Sequence, residues 1–210
     1  MKHSYFKIPG WFNMHEAYDQ LLENCPDGSE ILEIGSFMGR STSYLATNII
    51  NSGKRVHVYA LDTFQGSSEH AGLDINGGFY ETFKENCKAF IDGGIVTPVK
   101  SRSDDINTLK RWGDKHFHGI IIDGAHEYDA VKDDILNWWP KLADGGSMIG
   151  DDMSLVSVQQ AVQDTFAKKL CPESSGIEYI QGHEQWFSVS KGIEKPKCSK
   201  LVPGQNTLKK

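Results

Sequence analysis

Gly119-Ile-Ile-Ile-Asp123-Gly-Ala-His126, then a helical run through Trp138 and Trp139, then Gly145-Gly-Ser-Met-Ile-Gly150-Asp151-Asp152-Met153, places two short apolar runs in sequence, each stopping on acid. Runs this short, separated by a helical segment, read as neighbouring strands of a parallel sheet. Ligands of such sheets bind outside the carboxyl ends of the strands. Asp123, Asp151 and Asp152 would then share one edge, as hard oxygen donors for a divalent cation.

The same rhythm extends upstream. Met14, Ala17, Tyr18, Leu21, Leu22 and Cys25 recur at helical period and predict an amphipathic N-terminal helix, stopped by Pro26-Asp27-Gly28. Glu30-Ile-Leu-Glu-Ile-Gly-Ser is the first strand, and after Gly39 a helix begins with Ser41 or Thr42 as its N-cap. Arg55 to Asp62 is the second strand, and Phe64 to Gly78 a polar lid-like loop. One helix is expected to carry Phe79, Phe83, Cys87 and Phe90. Ile95 to Ser101 is the third strand, and Ser103 to Leu109 a short capped helix.

Downstream, Val131, Ile135, Trp138 and Leu142 share a helical face that Pro140 should interrupt. Val158, Ala161, Val162, Phe166 and Leu170 form the last such face. Ile177 to Gln181 and Gln185 to Ser190 have no helix between them and should pair antiparallel. The expected fold is α/β: a Rossmann-like, doubly wound, mostly parallel sheet with a C-terminal antiparallel hairpin. Residues 1–27 form an N-terminal segment and helix packed on the core, residues 28–191 the ligand-binding domain, and residues 192–210 a flexible basic tail.

Bulk properties narrow the function. The 210 residues suit one core. With 22 Lys and Arg against 28 Asp and Glu, the net charge of −6 offers nucleic acid no general attraction. The start lacks a signal-peptide core, no run is long and apolar enough for a membrane span, and Cys25, Cys87, Cys171 and Cys198 are scattered without metal-site spacing. A soluble cytoplasmic protein with reduced thiols and a small-molecule partner is expected, and homo-oligomerisation through the N-terminal helix and exposed tryptophans is open.

Glu33-Ile-Gly35-Ser36-Phe-Met-Gly39 ends the first strand and opens a helix, where glycines let backbone approach a ligand and helix amides suit a carboxylate or phosphate. A tight turn without a ligand is the bland alternative. The spacing is not that of a dinucleotide fingerprint, which argues against a nucleotide-cofactor oxidoreductase. Asp62, ending the second strand, could accept both hydroxyls of a ribose. For Asp151-Asp152 the bland alternative is capping of the following helix. His57, His116 and His118 read as structural; His70, His183-Glu184 and Trp186 could line a cleft, with a surface turn the plainer reading for the last three.

Glu33-x-Gly35-x-x-x-Gly39, Asp62, the Ser101-Arg-Ser103-Asp104 turn and the late hairpin resemble class I S-adenosylmethionine-dependent methyltransferases. More narrowly, Ile122-Asp123-Gly-Ala-His126-x-Tyr128, Asp134, Trp138, Leu142, Gly145-Gly146 and Gly150-Asp151-Asp152 resemble the group containing macrocin and rhamnosyl O-methyltransferases and cephalosporin hydroxylase-like proteins. The resemblance implies that Glu33 and Gly35, with Ser36 and Gly39 of the same loop, hold the methionine part of the cofactor, with Ser41 near its carboxylate. Asp62, with Thr63 beside it, would hold the ribose, and Ser103 and Asp104 would flank the adenine. Asp123, also beside the cofactor, Asp151 and Asp152 would bind Mg2+, and His126 would be the base. The sugar-modifying relatives carry Glu-Asp where this chain has Asp151-Asp152, and the shorter side chain would shift the metal or admit water. A Mg2+-assisted O-methyltransferase is the implied activity, and a non-catalytic module binding S-adenosylmethionine or S-adenosylhomocysteine is the alternative.

Overall fold

The computed structural model of the chain describes residues 1–66, 78–166, 177–179 and 185–189. Five parallel strands form the centre: β1 (Glu30–Ile34), β2 (His57–Asp62), β3 (Val96–Lys100), β4 (Phe117–Ile122) and β5 (Leu142–Gly150). Two short strands, β6 (Ile177–Tyr179) and β7 (Trp186–Val189), complete the order β3-β2-β1-β4-β5-β7-β6, with β7 antiparallel to both β5 and β6. The turn expected between them and the tail from 192 lie outside the described residues, as do most of the lid loop with His70, Leu170, Cys171, His183, Glu184 and Cys198.

Helices cover both faces. On one lie α1 (His15–Asn24), α2 (Arg40–Ser52), α3 (Phe79–Asn86) and α4 (Lys88–Asp92), packed around Ile31, Val58, Ala60 and Ile121. The other face carries α6 (Tyr128–Trp138) and α7 (Val156–Thr165) over Leu32, Ile34, Ile120, Ile122 and Met148. Alternate residues of one strand therefore feed opposite cores, as the two-residue period of a strand requires. A short helix, α5 (Ile106–Lys110), follows β3.

Several local expectations are corrected. The N-cap of α2 is Gly39, at φ 87°, because the turn must pass through left-handed backbone; Ser41 and Thr42 lie inside the first turn. The expected Phe79–Phe90 helix is two helices broken at Cys87. Leu142 begins β5 rather than ending a helix, since Pro140 sits in a single 3-10 turn, Trp139–Lys141, that closes α6. Trp112, Trp138, Trp139 and Trp186 are buried, and Trp11 is the exposed tryptophan, at 73%. Four of the five indoles therefore belong to the interior and not to an interface.

Register places the site. Ile34 pairs with Leu61 on one side and Ile122 on the other, and Ile122 pairs with Gly150. The next residues, Asp62, Gly35, Asp123 and Asp151, stand in a row along the carboxyl edge. At the opposite edge His57 joins the Gly94 carbonyl and Thr97, and His116 pairs with Glu30.

Helix α1 is moored by Lys54, whose ammonium donates to the carbonyls of Leu22, Glu23 and Cys25 at 2.7, 2.9 and 2.8 Å. These carbonyls end the helix, where acceptors outnumber amides and a cation is favoured. Lys54→Met is expected to lower stability by about 1–3 kcal/mol, the range for charged hydrogen bonds, read as a reduced urea midpoint at unchanged slope.

Candidate active site

The β1–α2 loop is held from behind. Glu33 is fully buried, and its carboxylate accepts from Tyr18 at 2.9 Å, Ser36 at 3.0 Å and Thr42, with Ser41 also contributing. Burial raises its pKa, while the hydroxyls of Thr42, Ser41, Tyr18 and Ser36 pull the other way by solvating the anion. Tyr18, buried beside that carboxylate, has its own pKa raised by burial first and by Glu33 second. The Glu33 carboxylate thus lies beneath the loop, and Ser36 and Ser41, also expected beside the cofactor, turn their hydroxyls toward it.

The glycines answer to close packing. A Cβ on Gly35, at φ 92°, would lie 1.9 Å from the Asp123 carbonyl oxygen, so the loops after β1 and β4 touch through bare backbone. Asp123 reinforces the contact by donating its amide to the Ile34 carbonyl at 2.9 Å. At Gly39 a Cβ would lie 2.5 Å from the Cys87 sulfur. Buried and free, Cys87 has a thiol pushed up to about 12 by burial, which suits packing and not nucleophilic work.

Asp62 fastens two turns at once. One carboxylate oxygen accepts the Phe37 amide at 2.8 Å and the other the Phe64 amide at 2.6 Å. Phe37 and Phe64 take positive φ, 44° and 53°, a strain that these two bonds offset. Each oxygen keeps a further lone pair for a ligand hydroxyl. Thr63 follows, with its hydroxyl accepting the Gln65 amide at 3.3 Å.

The turn after β3 lies alongside, since the Ser101 amide donates to the Asp62 carbonyl at 3.0 Å. Asp105 caps α5 by accepting from the amides of Asn107 and Thr108. Arg102 forks onto Asp104 through two 2.7 Å bonds, and that guanidinium holds the exposed Asp104 carboxyl below its usual range. Ser103 is clamped by two residues one turn apart on α6. Trp138 donates its indole N–H to the Ser103 carbonyl at 3.1 Å, and Asp134 bonds the Ser103 side chain.

On the other side of Gly35 lies the acidic pocket, a cavity of about 10 Å3 lined by Asp123, His126, Asp151, Asp152 and Trp186 among others. That volume holds about one water-sized occupant. Asp123 is half-buried, and its pKa is raised well above the carboxylate range by desolvation first, then by the negative charges of Asp151, Asp152 and Glu33. Asp152 stands at φ 64° and pairs with Nδ1 of His126 at 2.9 Å. Neither acid caps α7, whose N-cap is Leu155 without a side-chain bond. Among the described residues no group of three or more His, Cys, Asp or Glu side chains is arranged as a ready metal cage. The donor chemistry nonetheless fits a hard cation, because three carboxylates converge where a positive charge would relieve their mutual repulsion.

Sequence reasoning missed Gln185 and placed Trp186 in a cleft or surface turn. Gln185 is 2% exposed and donates to Asp151 at 3.0 Å and to Asn13 at 3.2 Å. Trp186 is buried against Gly150, where a Cβ would lie 2.4 Å from the indole nitrogen. A Gln directly before the Trp that opens an apolar strand, both with polar groups that need partners once buried, was the available signal.

One titration follows from the Ser103 clamp. Burial raises Asp134 from 3.8 to about 6, so its carboxyl favours the protonated form in the folded chain. The associated stability is full below the unfolded pKa and is lost as pH rises from about 4 through about 6. Asp134→Asn should remove that decline, an effect of about 3 kcal/mol, measured by urea unfolding at pH 4 and pH 7. A wild-type slope retained in the variant would contradict it.

The profile of a family described as a methyltransferase domain matches residues 32–153, from β1 through the acidic pair. No curated protein matches the chain in sequence. Among solved structures, the O-methyltransferase NovP is 18% identical with a TM-score of 0.61, over 82% of this chain and 77% of that one. CalS11, the TDP-rhamnose 3′-O-methyltransferase of calicheamicin biosynthesis, is 15% identical with a TM-score of 0.59, over 85% and 79%. SMU.1697c, a methyltransferase homologue from Streptococcus mutans solved with S-adenosylhomocysteine, is 13% identical with a TM-score of 0.58, over 84% and 96%. These likenesses carry the fold, and the profile covers more than half the chain. With the Gly35 loop, Asp62 and the Ser103 turn set along one sheet edge, the chain belongs to the methyltransferase-domain family and is a class I S-adenosylmethionine-dependent methyltransferase.

Proposed function

We propose that this methyltransferase acts on a hydroxyl of a small molecule, a sugar or a glycosylated metabolite, with Mg2+ held at the acidic pocket. The observation that carries the reading is the row Asp62, Gly35, Asp123, Asp151 across adjacent strand ends. It sets a donor loop directly beside clustered carboxylates. The fold shared with CalS11, a TDP-rhamnose 3′-O-methyltransferase, supports a sugar acceptor.

S-adenosylmethionine supplies a methyl on a sulfonium, and Mg2+ lowers the pKa of an oxygen bound to it. The residues do the rest. Asp62 would accept from the ribose hydroxyls, the turn clamped by Asp134 and Trp138 would flank the adenine, and the α2 amides would suit the cofactor carboxylate. Asp123, Asp151 and Asp152 would hold the cation. With Nδ1–H donating to Asp152, the other ring nitrogen of His126 can take the acceptor's hydroxyl proton. The oxygen so deprotonated would take the methyl, a C–O bond forming as the C–S bond breaks, with S-adenosylhomocysteine and the methyl ether as products. Among the described residues no helix is long and apolar enough to cross a membrane.

Calorimetry separates the parts. Asp62→Ala should weaken S-adenosylhomocysteine binding by about 10–100-fold, the cost of lost bonds to a charged group. Asp123→Asn and Asp152→Ala should leave that binding within about threefold while abolishing Mg2+ binding and transfer to a panel of nucleotide sugars and glycosides. Transfer at full rate in excess chelator would sink the metal assignment.

A further inference from the structure

The N-terminal segment runs along the row of strand ends and is tied down at both halves of the site. At the donor loop, Arg40 donates to the Gly10 carbonyl, and a Cβ on Gly10 would lie 3.4 Å from the Phe37 ring. Phe37 is the residue whose amide Asp62 accepts, and its ring packs on Phe79 at 5.1 Å between centroids. Three residues later, Asn13 accepts from the Gln185 amide at 3.2 Å, and the same nitrogen donates to Asp151 at 3.0 Å. Residues 10–13 therefore span from donor loop to acidic pocket, with the exposed Trp11 in mid-span.

Both described side-chain bonds of Gln185 come from one NH2 group, which has two hydrogens to give. A buried amide used this way ties its two acceptors together. Turning Asp151 away from Gln185 strands a buried donor, and releasing Asn13 removes the other partner. The bond is also selective: glutamate at this position would set a second anion against Asp151, whereas methionine keeps the volume and loses both bonds.

Resting on the reading of the acidic pocket as part of the transfer site, we propose that Gln185 is a positioning residue. It orients the Asp151 carboxylate and, through Asn13, couples the pocket to the 10–13 segment that bounds the acceptor side. Loading of the pocket and ordering of that segment are then linked in both directions.

Hydrogen exchange on the full chain, read on peptides covering residues 9–14, tests the link. In metal-free protein, Gln185→Met and Asp151→Ala should each speed exchange of this segment by about tenfold or more, with α2 and β4 unchanged. In the Gln185→Met background, Asp151→Ala should add nothing, the non-additivity expected of a relay. Mg2+ should slow exchange of the segment in wild type and not in Gln185→Met or Asn13→Ala, and Gln185→Met should weaken Mg2+ binding by about 10–100-fold at a melting temperature within a few degrees of wild type. Additive effects of Gln185→Met and Asp151→Ala, or a segment indifferent to Asp151→Ala, would overturn the proposal. The metal-free cycle decides it even where wild type binds no Mg2+, a result that would instead retire the metal part of the function. Absence of S-adenosylhomocysteine binding by wild type would count against the transferase site alone.

Discussion

The backbone contact between Gly35 and Asp123 is the constraint on which the site depends. Two strands that are neighbours in space but distant in sequence end at the same height, and the turns leaving them can both fit only if one has no side chain. That contact sets the first residue of the donor loop against the first acid of the pocket. It occurs where the strand order reverses direction, between β1 and β4, which is where an open α/β sheet leaves its crevice. The Gly35 loop and the acidic pocket are thereby held within one loop's width.

The two carboxylates flanking this contact, Glu33 buried and Asp123 half-buried, are treated in opposite ways. Glu33 is surrounded by hydroxyls from α1, α2 and its own loop, so its desolvation is offset by donors and it acts as a structural post. Asp123 faces other acids, Asp151 and Asp152, with Glu33 behind it. One environment has been completed by the fold, and the other is left electrostatically hungry for a cation or a proton. A strained Asp152, at positive φ beside His126, belongs to that second environment and fits the tendency of strain to collect where chemistry is done.

Much of this was legible from sequence because strands announce themselves by short apolar runs and because function gathers at their ends. The five parallel strands and the acids Asp62, Asp123, Asp151 and Asp152 followed from that rule. What sequence could not give was the direction a polar side chain faces once buried. Glu33 lies in an apolar strand next to a glycine loop, and nothing in its spacing says whether it turns toward the ligand or toward Tyr18, a residue that reads as one more apolar position on α1. Gln185 was hidden for a different reason: its partners, Asn13 and Asp151, are far away along the chain, and only the closed sheet brings them together. The break at Cys87 and the cap at Gly39 share a cause, since the thiol fills the space that the glycine vacates.

The placement of β7 has a consequence for how the protein comes into being. The donor loop, Asp62 and the Ser103 turn, together with Asp123, Asp134 and Trp138 that brace them, all precede β5, so this half of the crevice can form while synthesis continues. The acidic pocket cannot. One wall is Trp186, and the bridge to Asn13 spans 172 positions, among the longest loops this chain can close. Ordering so remote a contact comes late, because its closure entropy must be met before the contact returns anything. A nascent chain would thus assemble the Gly35, Asp62 and Ser103 side of the crevice before the acidic pocket, which is completed only once Gln185 and Trp186 have emerged.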